Sequence, residues 1–327
     1  MTNAPEMLPE AALPAKRENA VLRVLKMPLL RVYLMLLLIY AVSCILSPSY
    51  LSMDYLNTLL LKSAPLGIVA VGQTLVILTG GIDMSICYNM TLAAVVMTAT
   101  VQSGHPVWAC VLVMLICTGV GVVNGVGITL MRIPPIIMTL AMNMILQSVC
   151  MIYTNGTPKG RAPDALNHFV NTNYLGLRGG IWIWVAVAVV VCFLLYKTSF
   201  GRIVYALGSN ASVAHFSGIR KELMTTLVYA LSGAMVGIAS ILSVGYSGMS
   251  FLSIATDFNL KSVAVVVLGG TSIMGGKGGY VGTIAGTLVL ELLLAILTVV
   301  QIDQSGKDII YGAIILGMLL LYSRKKA

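Results

Sequence analysis

Apolar residues run in blocks along this chain from Leu29 to Leu321, and only short polar interruptions separate them. A helix needs about 20 mostly apolar residues to cross a hydrocarbon core ~30 Å thick. Segments of that kind are drawn at 29–46, 56–79, 84–102, 107–131, 135–154, 181–196, 223–243, 259–274, 281–300 and 308–323. The fold class expected is therefore all-α: a polytopic membrane protein of about ten transmembrane helices, one domain over 29–323. Residues 1–28, where prolines alternate with charges, predict a disordered tail rather than a cleavable signal. Residues 324–327 form a second short tail.

Composition agrees with the pattern. The 327 residues are 58% hydrophobic and 9% charged, with a mean hydropathy of +0.95, against roughly 25% charged in a soluble domain. The formal net charge of +9 changes meaning in this setting: it sets orientation and does not call for nucleic acid. With an even number of spans both termini share a side. Lys16, Arg17, Arg23, Lys26, Arg31, Arg132, Lys197, Arg202, Arg220, Lys221, Lys277 and Arg324 to Lys326 share it too, and these are most of the 20 basic residues. The positive-inside rule makes that side the cytoplasm, so the chain is expected in the cell (inner) membrane.

Two connections are longer than a turn. Residues 155–180, on the outside, are rich in Asn, Pro and Gly and predict an irregular cap or docking surface. Residues 197–222, inside, carry helix-forming stretches between glycines and offer a handle for a soluble partner.

Enzyme chemistry finds little support. The three histidines (His105, His168, His215) form neither HExxH nor a nucleophile–base pattern. Gly245-Tyr246-Ser247-Gly248-Met249 lacks the second glycine of a nucleophile elbow. Gly275-Gly276-Lys277-Gly278-Gly279 departs from a phosphate loop, with Thr271 in place of the first glycine and Gly278 in place of Ser or Thr. The six cysteines lie in or beside apolar runs without the converging spacings of disulfides or zinc. No cofactor or metal is expected.

The 32 glycines carry more information, because they gather where apolar segments break: Gly72, Gly80 and Gly81, Gly269 and Gly270, and Gly275 to Gly282. Such glycines either let helices pack closely or interrupt a helix whose freed backbone lines a cavity. Val76 to Gly81 and Val266 to Thr271 resemble one another, a hint of internal duplication. Asp83 follows the first break and stands either in a polar pocket or at the cytoplasmic border, where charge is cheap; Glu291, mid-segment, suggests a structural contact inside the bundle. Gln73, Thr79, Asn124, Thr139, Asn143 and Gln147 line a passage for a hydroxylated solute on one reading and bond helix to helix on the other.

Several stretches in unchanged order resemble the membrane permease subunit of ribose-type (monosaccharide) ATP-binding-cassette importers, within the branched-chain amino acid/ribose permease family. They are Gly72 to Ser85, Arg132 to Ile136 with Asn155 to Pro158, Thr198 to Arg202, Ala206 to Asn210, Ser217 to Ile219, and Leu268 to Gly276, spread over roughly residues 30–323. Cys87 stands where that family usually has glycine, and Leu292 to Val300 replaces its Asn-rich stretch. The resemblance implies a type II importer permease fold and two permease subunits around a central path, as homodimer or heterodimer. It also implies a separate cassette ATPase, an extracytoplasmic solute-binding protein, and a coupling helix near Asn210 to Gly218. Gly201, Arg202, Gly208, Asn210, Ala211, Ala214, Ser217 and Gly218 are the residues expected to couple to the ATPase. A rival reading is an ion-coupled secondary transporter using Asp83 or Glu291 as its proton site. An intramembrane enzyme or scaffold is a further rival.

Overall fold

The computed structural model describes residues 28–303 and scattered positions between 305 and 317. The N-terminal tail, the C-terminal tail and most of the tenth expected segment lie outside the described residues. The helices are α1 (Pro28–Leu46), α2 (Met53–Leu78), α3 (Ile86–Gln102), α4 (Pro106–Thr129), α5 (Pro135–Thr154), α6 (Asp164–Asn171), α7 (Gly179–Lys197), α8 (Ser199–Ser209), α9 (Ala211–Phe216), α10 (Lys221–Ser247), α11 (Phe258–Leu268) and α12 (Tyr280–Val299). A two-residue hairpin, β1 (Asn173–Tyr174) and β2 (Leu177–Arg178), joins α6 to α7. Among the described residues seven helices, α1, α2, α4, α5, α7, α10 and α12, are long and apolar enough to span a membrane, and α3 and α11 are shorter apolar helices. This is the architecture of a polytopic helical membrane protein.

Local chemistry sets the ends. Ser52 caps α2 by accepting the Tyr55 amide at 3.2 Å, and Asp54 adds negative charge to the first turn, where the helix dipole favours it. Prolines open α4 and α5 at positions whose amides have no partner in a helix anyway. The expected segment 259–274 is too long: α11 ends at Leu268, and residues 269–279 form an irregular turn with left-handed backbone at Gly270, Gly275, Gly276 and Gly278. The 155–180 connection is more ordered than its Asn, Pro and Gly content suggests, because Asp164 places a negative charge in the first turn of α6, where the helix dipole favours it.

Helix α2 is the axis of the molecule, buried without interruption from Ser63 to Leu78. Around it, α7 and α12 are fixed by a relay in which Trp184 Nε1 donates to the Tyr280 hydroxyl at 2.8 Å and that hydroxyl donates to Gly67 O at 2.8 Å. On another side α4 and α10 pack backbone to backbone. A Cβ at Gly121 would meet Tyr229 O, one at Gly125 would meet Thr226 Cα, and one at Gly233 would meet Cys117 O. Gly121/Gly125 and Gly233/Gly237 repeat at a spacing of four, which places small residues on one helix face. Helices α1 and α5 are peripheral, with exposed Leu37, Leu38 and Ile45 on one and Ile137, Ile145 and Ile152 on the other.

The bundle has two distinct poles. At one, α8 and α9 sit under the ends of α2 and α11. At the other, the 155–178 segment is tied down: Ala162 N donates to Gly248 O at 2.9 Å, Asn167 Nδ2 to Gly245 O at 2.8 Å, Asn57 Nδ2 to Gly176 O at 3.0 Å and Thr98 Oγ1 to Lys159 O at 3.0 Å.

Candidate functional site

Helix α2 stops at Thr79 and Gly80, and the chain runs in non-helical conformation to Ser85 before α3 begins. Gly80, at φ +85°, makes the turn. Free backbone groups in an apolar interior are costly unless something pairs with them. Side chains from four surrounding helices do so. Thr139 Oγ1, on α5, accepts from Met84 N at 3.0 Å and reaches Ile82 O at 3.3 Å. Asn143 Oδ1, one turn along, accepts from Tyr88 N at 3.2 Å. From α11, Asn259 grips the break and the first turn of α3, accepting from Cys87 N at 2.9 Å and donating to Met84 O at 2.9 Å. From α4, Asn124 Nδ2 donates to Ser85 Oγ at 2.9 Å, and from α10, Ser232 Oγ donates to Asp83 Oδ2 at 2.9 Å.

Asp83 is 2% exposed. Its Oδ1 accepts from Ser85 N at 2.9 Å and from Ser85 Oγ at 2.6 Å. The carboxylate is thereby held at the N-terminus of α3, where the positive end of the helix dipole favours a negative charge. Asp257 occupies the corresponding place before α11 and pairs with Lys261 at 3.2 Å. Since Asn259 joins the starts of α3 and α11, two helix N-termini meet inside the bundle, each with its own acidic residue.

Of the residues read as passage candidates, Asp83, Asn124, Thr139 and Asn143 are thus brought together as the frame of this break. Gln147 lies a turn beyond Asn143, beside Tyr88. Thr79 bonds back to Val76 O at 2.8 Å and ends α2. Gln73 stands apart, fully buried on α2, with neither end of its amide bonded to another protein group. Glu291 is half-buried and lines a pocket between α2 and α12. Ser232 and Asn259 went unnoticed in the sequence. Asn259 had a readable signal, an amide two residues after an acid at the head of an apolar run.

The second part of the site is a junction at the pole of α8 and α9. Gly276 N donates to Leu78 O at 3.0 Å, joining the 269–279 turn to the end of α2. Gly208, on α8, fits into this contact so closely that a Cβ there would strike both Leu78 O and Gly276 N. Tyr205 Oη donates to Gly278 O at 2.8 Å. Burial, then the neighbouring Tyr196, raise the Tyr205 phenol above its ordinary pKa and keep it a donor. Gly201 packs against Leu195 O and seats α8 on α7, and Arg202 bonds Ser199 Oγ at 2.7 Å on the surface.

From that base α9 projects. Asn210 caps it, with Oδ1 accepting from Ser212 N at 3.0 Å and Val213 N at 3.1 Å. Ser217 and Gly218, the latter at φ +79°, end it. Ala214 faces inward and is buried, and Ala211 is half-buried. The outward face carries Val213 and Phe216, exposed by 58% and 89%, which sequence reading did not single out. An apolar pair so exposed on a short helix is a mark of a contact surface.

The break depends on Asn259 more than on any other single amide. Asn259→Leu should leave Cys87 N–H and Met84 C=O unpaired, at about 1–3 kcal/mol each. Detergent-solubilised protein should melt several degrees lower, whereas Asn143→Leu, with one bond lost, should fall by less. An unchanged melting temperature for Asn259→Leu would show that the break is held by other means.

Comparison with known proteins adds three findings. The family model described as "Branched-chain amino acid transport system / permease component" matches residues 55–319. The ribose import permease protein RbsC of Escherichia coli K12 is 34% identical over 298 residues, 89% of this chain and 92% of that protein, and its Haemophilus influenzae namesake is 31% identical over 295 residues, covering 89% and 91%. The autoinducer 2 import system permease protein LsrC of Salmonella paratyphi B is 30% identical over 281 residues, covering 85% and 81%. No solved structure gives a significant match.

Proposed function

Because the chain belongs to the branched-chain amino acid transport system permease family, we propose that it forms the translocation path of an ATP-binding-cassette importer for a monosaccharide or similar polyhydroxylated solute. It is a multi-pass membrane transport subunit, and energy comes from a separate cassette ATPase. The ribose and autoinducer-2 permeases among its relatives support the solute class. The partners are that ATPase, an extracytoplasmic solute-binding protein, a second permease subunit and membrane lipid. The pole of α8 and α9 faces the cytoplasm of the cell (inner) membrane, as do both termini, and the 155–180 cap faces the binding protein.

The observation that carries this reading is the junction. Helix α9, the proposed coupling helix, presents Val213 and Phe216 outward, while α8 packs through Gly208 against the Gly276–Leu78 contact that joins the ends of two membrane helices, and bonds the same turn through Tyr205 and Gly278 O. A push on α9 therefore has a rigid route to the break at 79–85. Coupling falls to Val213 and Phe216 for contact, to Asn210, Ala211, Ser217 and Gly218 for shaping α9, and to Gly201, Arg202, Gly208 and Ala214 for seating it. Gln73, Thr79, Asp83, Asn124, Thr139, Asn143 and Gln147 are the polar frame of the path.

The test is reconstitution with the cognate ATPase and binding protein. Val213→Asp with Phe216→Asp should leave the permease folded, with its melting temperature intact, and lower both uptake and binding-protein-stimulated ATP hydrolysis at least about tenfold, a buried apolar contact of this size contributing ~1.5–3 kcal/mol per side chain. Uptake that persists without ATP and collapses with the proton gradient would replace the reading with an ion-coupled one.

A further inference from the structure

The pocket between α2 and α12, about 170 Å³ in volume, brings together Tyr55, Thr58 and Lys62 with Glu291 and Thr298. Lys62 is exposed in the middle of a spanning helix whose other face is buried. Glu291 lies on the facing helix, where Lys261, which also pairs with Asp257, and Lys62 act on it electrostatically. At 1.5 Å per residue Glu291 is about 12 Å from the Val299 end of α12. Its side chain is too short to reach the membrane surface from there, although a lysine can extend toward it. Charged side chains at such depth face a bundle interior or water, not lipid. With Lys62 exposed on the lining of the pocket, water is the medium that fits.

We propose that this α2–α12 face borders the aqueous solute route, and that Lys62 and Glu291 form a net-neutral polar station in it for an uncharged, hydroxyl-bearing solute. Resting on the importer reading for the solute's passage, the inference adds which wall the solute touches and how that wall treats charge. An ammonium donates to hydroxyl oxygens, a carboxylate accepts from hydroxyl protons, and Thr58, Thr298 and Tyr55 do either. With one charge of each sign the station favours neither anions nor cations. Removing one charge unmasks the other.

The experiment uses the assembled importer in proteoliposomes and needs no knowledge of the solute. Thr58→Cys is treated with membrane-impermeant methanethiosulfonates bearing either a trimethylammonium or a sulfonate group, and the permease with only its native cysteines is the blank. Both reagents should label Cys at this position from the side opposite α9. Adding Glu291→Gln should shift the rate ratio about tenfold toward the anionic reagent, and Lys62→Gln should shift it as far toward the cationic one, as expected for a unit charge a few ångströms away. Labelling only by a lipid-soluble maleimide would place the face against lipid and overturn the proposal. No labelling by any reagent would place it against another subunit and overturn it equally. Labelling with a ratio indifferent to both neutralisations would remove the two charges from the route. Failure of ATP-driven uptake in the same vesicles would count against the importer reading alone, since labelling requires no ATP.

Discussion

Gly208→Val is expected to abolish solute uptake and to lower the melting temperature of the permease by more than any other single change at the pole of α8 and α9. The new side chain would begin inside the contact between Leu78 O and Gly276 N, which are backbone atoms and cannot rotate away. Gly275 adds to the crowding, with its own Cβ position 3.0 Å from Leu78 O and 3.1 Å from Gly208 O. Three things follow from forcing α8 outward. The Gly276–Leu78 hydrogen bond breaks, the Tyr205–Gly278 bond stretches, and α9 loses its fixed height below the bundle. Overpacking costs about 1–3 kcal/mol, occasionally more, and each hydrogen bond lost in a buried place adds about 1 kcal/mol. Gly104→Asn serves as the control: that glycine, at φ +88° on the far pole, has nothing within 4 Å of its Cβ position, and asparagine tolerates the left-handed conformation. Thermal melting and coupled ATPase assays decide the matter. Wild-type melting and uptake in Gly208→Val would mean that the junction is loose and transmits nothing.

Helix positions were legible because a period-free apolar run of about twenty residues has one stable solution in lipid. Segments 29–46, 107–131, 135–154 and 281–300 fall within two residues of α1, α4, α5 and α12 at each end. The end of α11 was not legible: Ser272 to Met274 continue the apolar run in composition, whereas the turn is made by left-handed glycines and by Thr271 Oγ1, which accepts from Gly279 N at 3.2 Å. The two uses of glycine separate in the structure. Gly121, Gly125, Gly233 and Gly237 pack helices, and their spacing of four was there to be read. Gly80 and Gly276 bend chain ends into contact, which depends on partners 200 residues away. Polar side chains were the hardest. Thr139, Asn143 and Asn124 have the residue types of a solute lining, but the groups they bond are backbone atoms freed by the 79–85 break, and a sequence does not say which backbone groups are left free.

The same break gives the prediction that most directly separates two accounts of this protein. Asp83→Ala is expected to leave no folded permease in the membrane, because it orphans Ser85 N–H and the hydroxyls of Ser85 and Ser232 in a dry interior, at about 1–3 kcal/mol for each donor. It also removes the negative charge at the start of α3, worth about 0.3–1 kcal/mol. Asp83→Asn behaves differently if the carboxylate is a structural acceptor. The amide oxygen can take both donors of Ser85, and the Ser232 hydroxyl can turn to accept from the new NH2 group, so that every partner stays satisfied. This variant should fold, melt within a few degrees of the parent, and carry out ATP-driven uptake within about threefold of the wild-type rate, that loss matching the ~0.3–1 kcal/mol of dipole stabilisation given up. A proton-coupled mechanism requires the opposite, since an amide binds no proton at any working pH. Full-length Asp83→Asn permease that is stable, present in wild-type amount and inactive would therefore assign the charge a part in transport itself, and the break would have to be understood as a proton site rather than as a hinge held by hydrogen bonds.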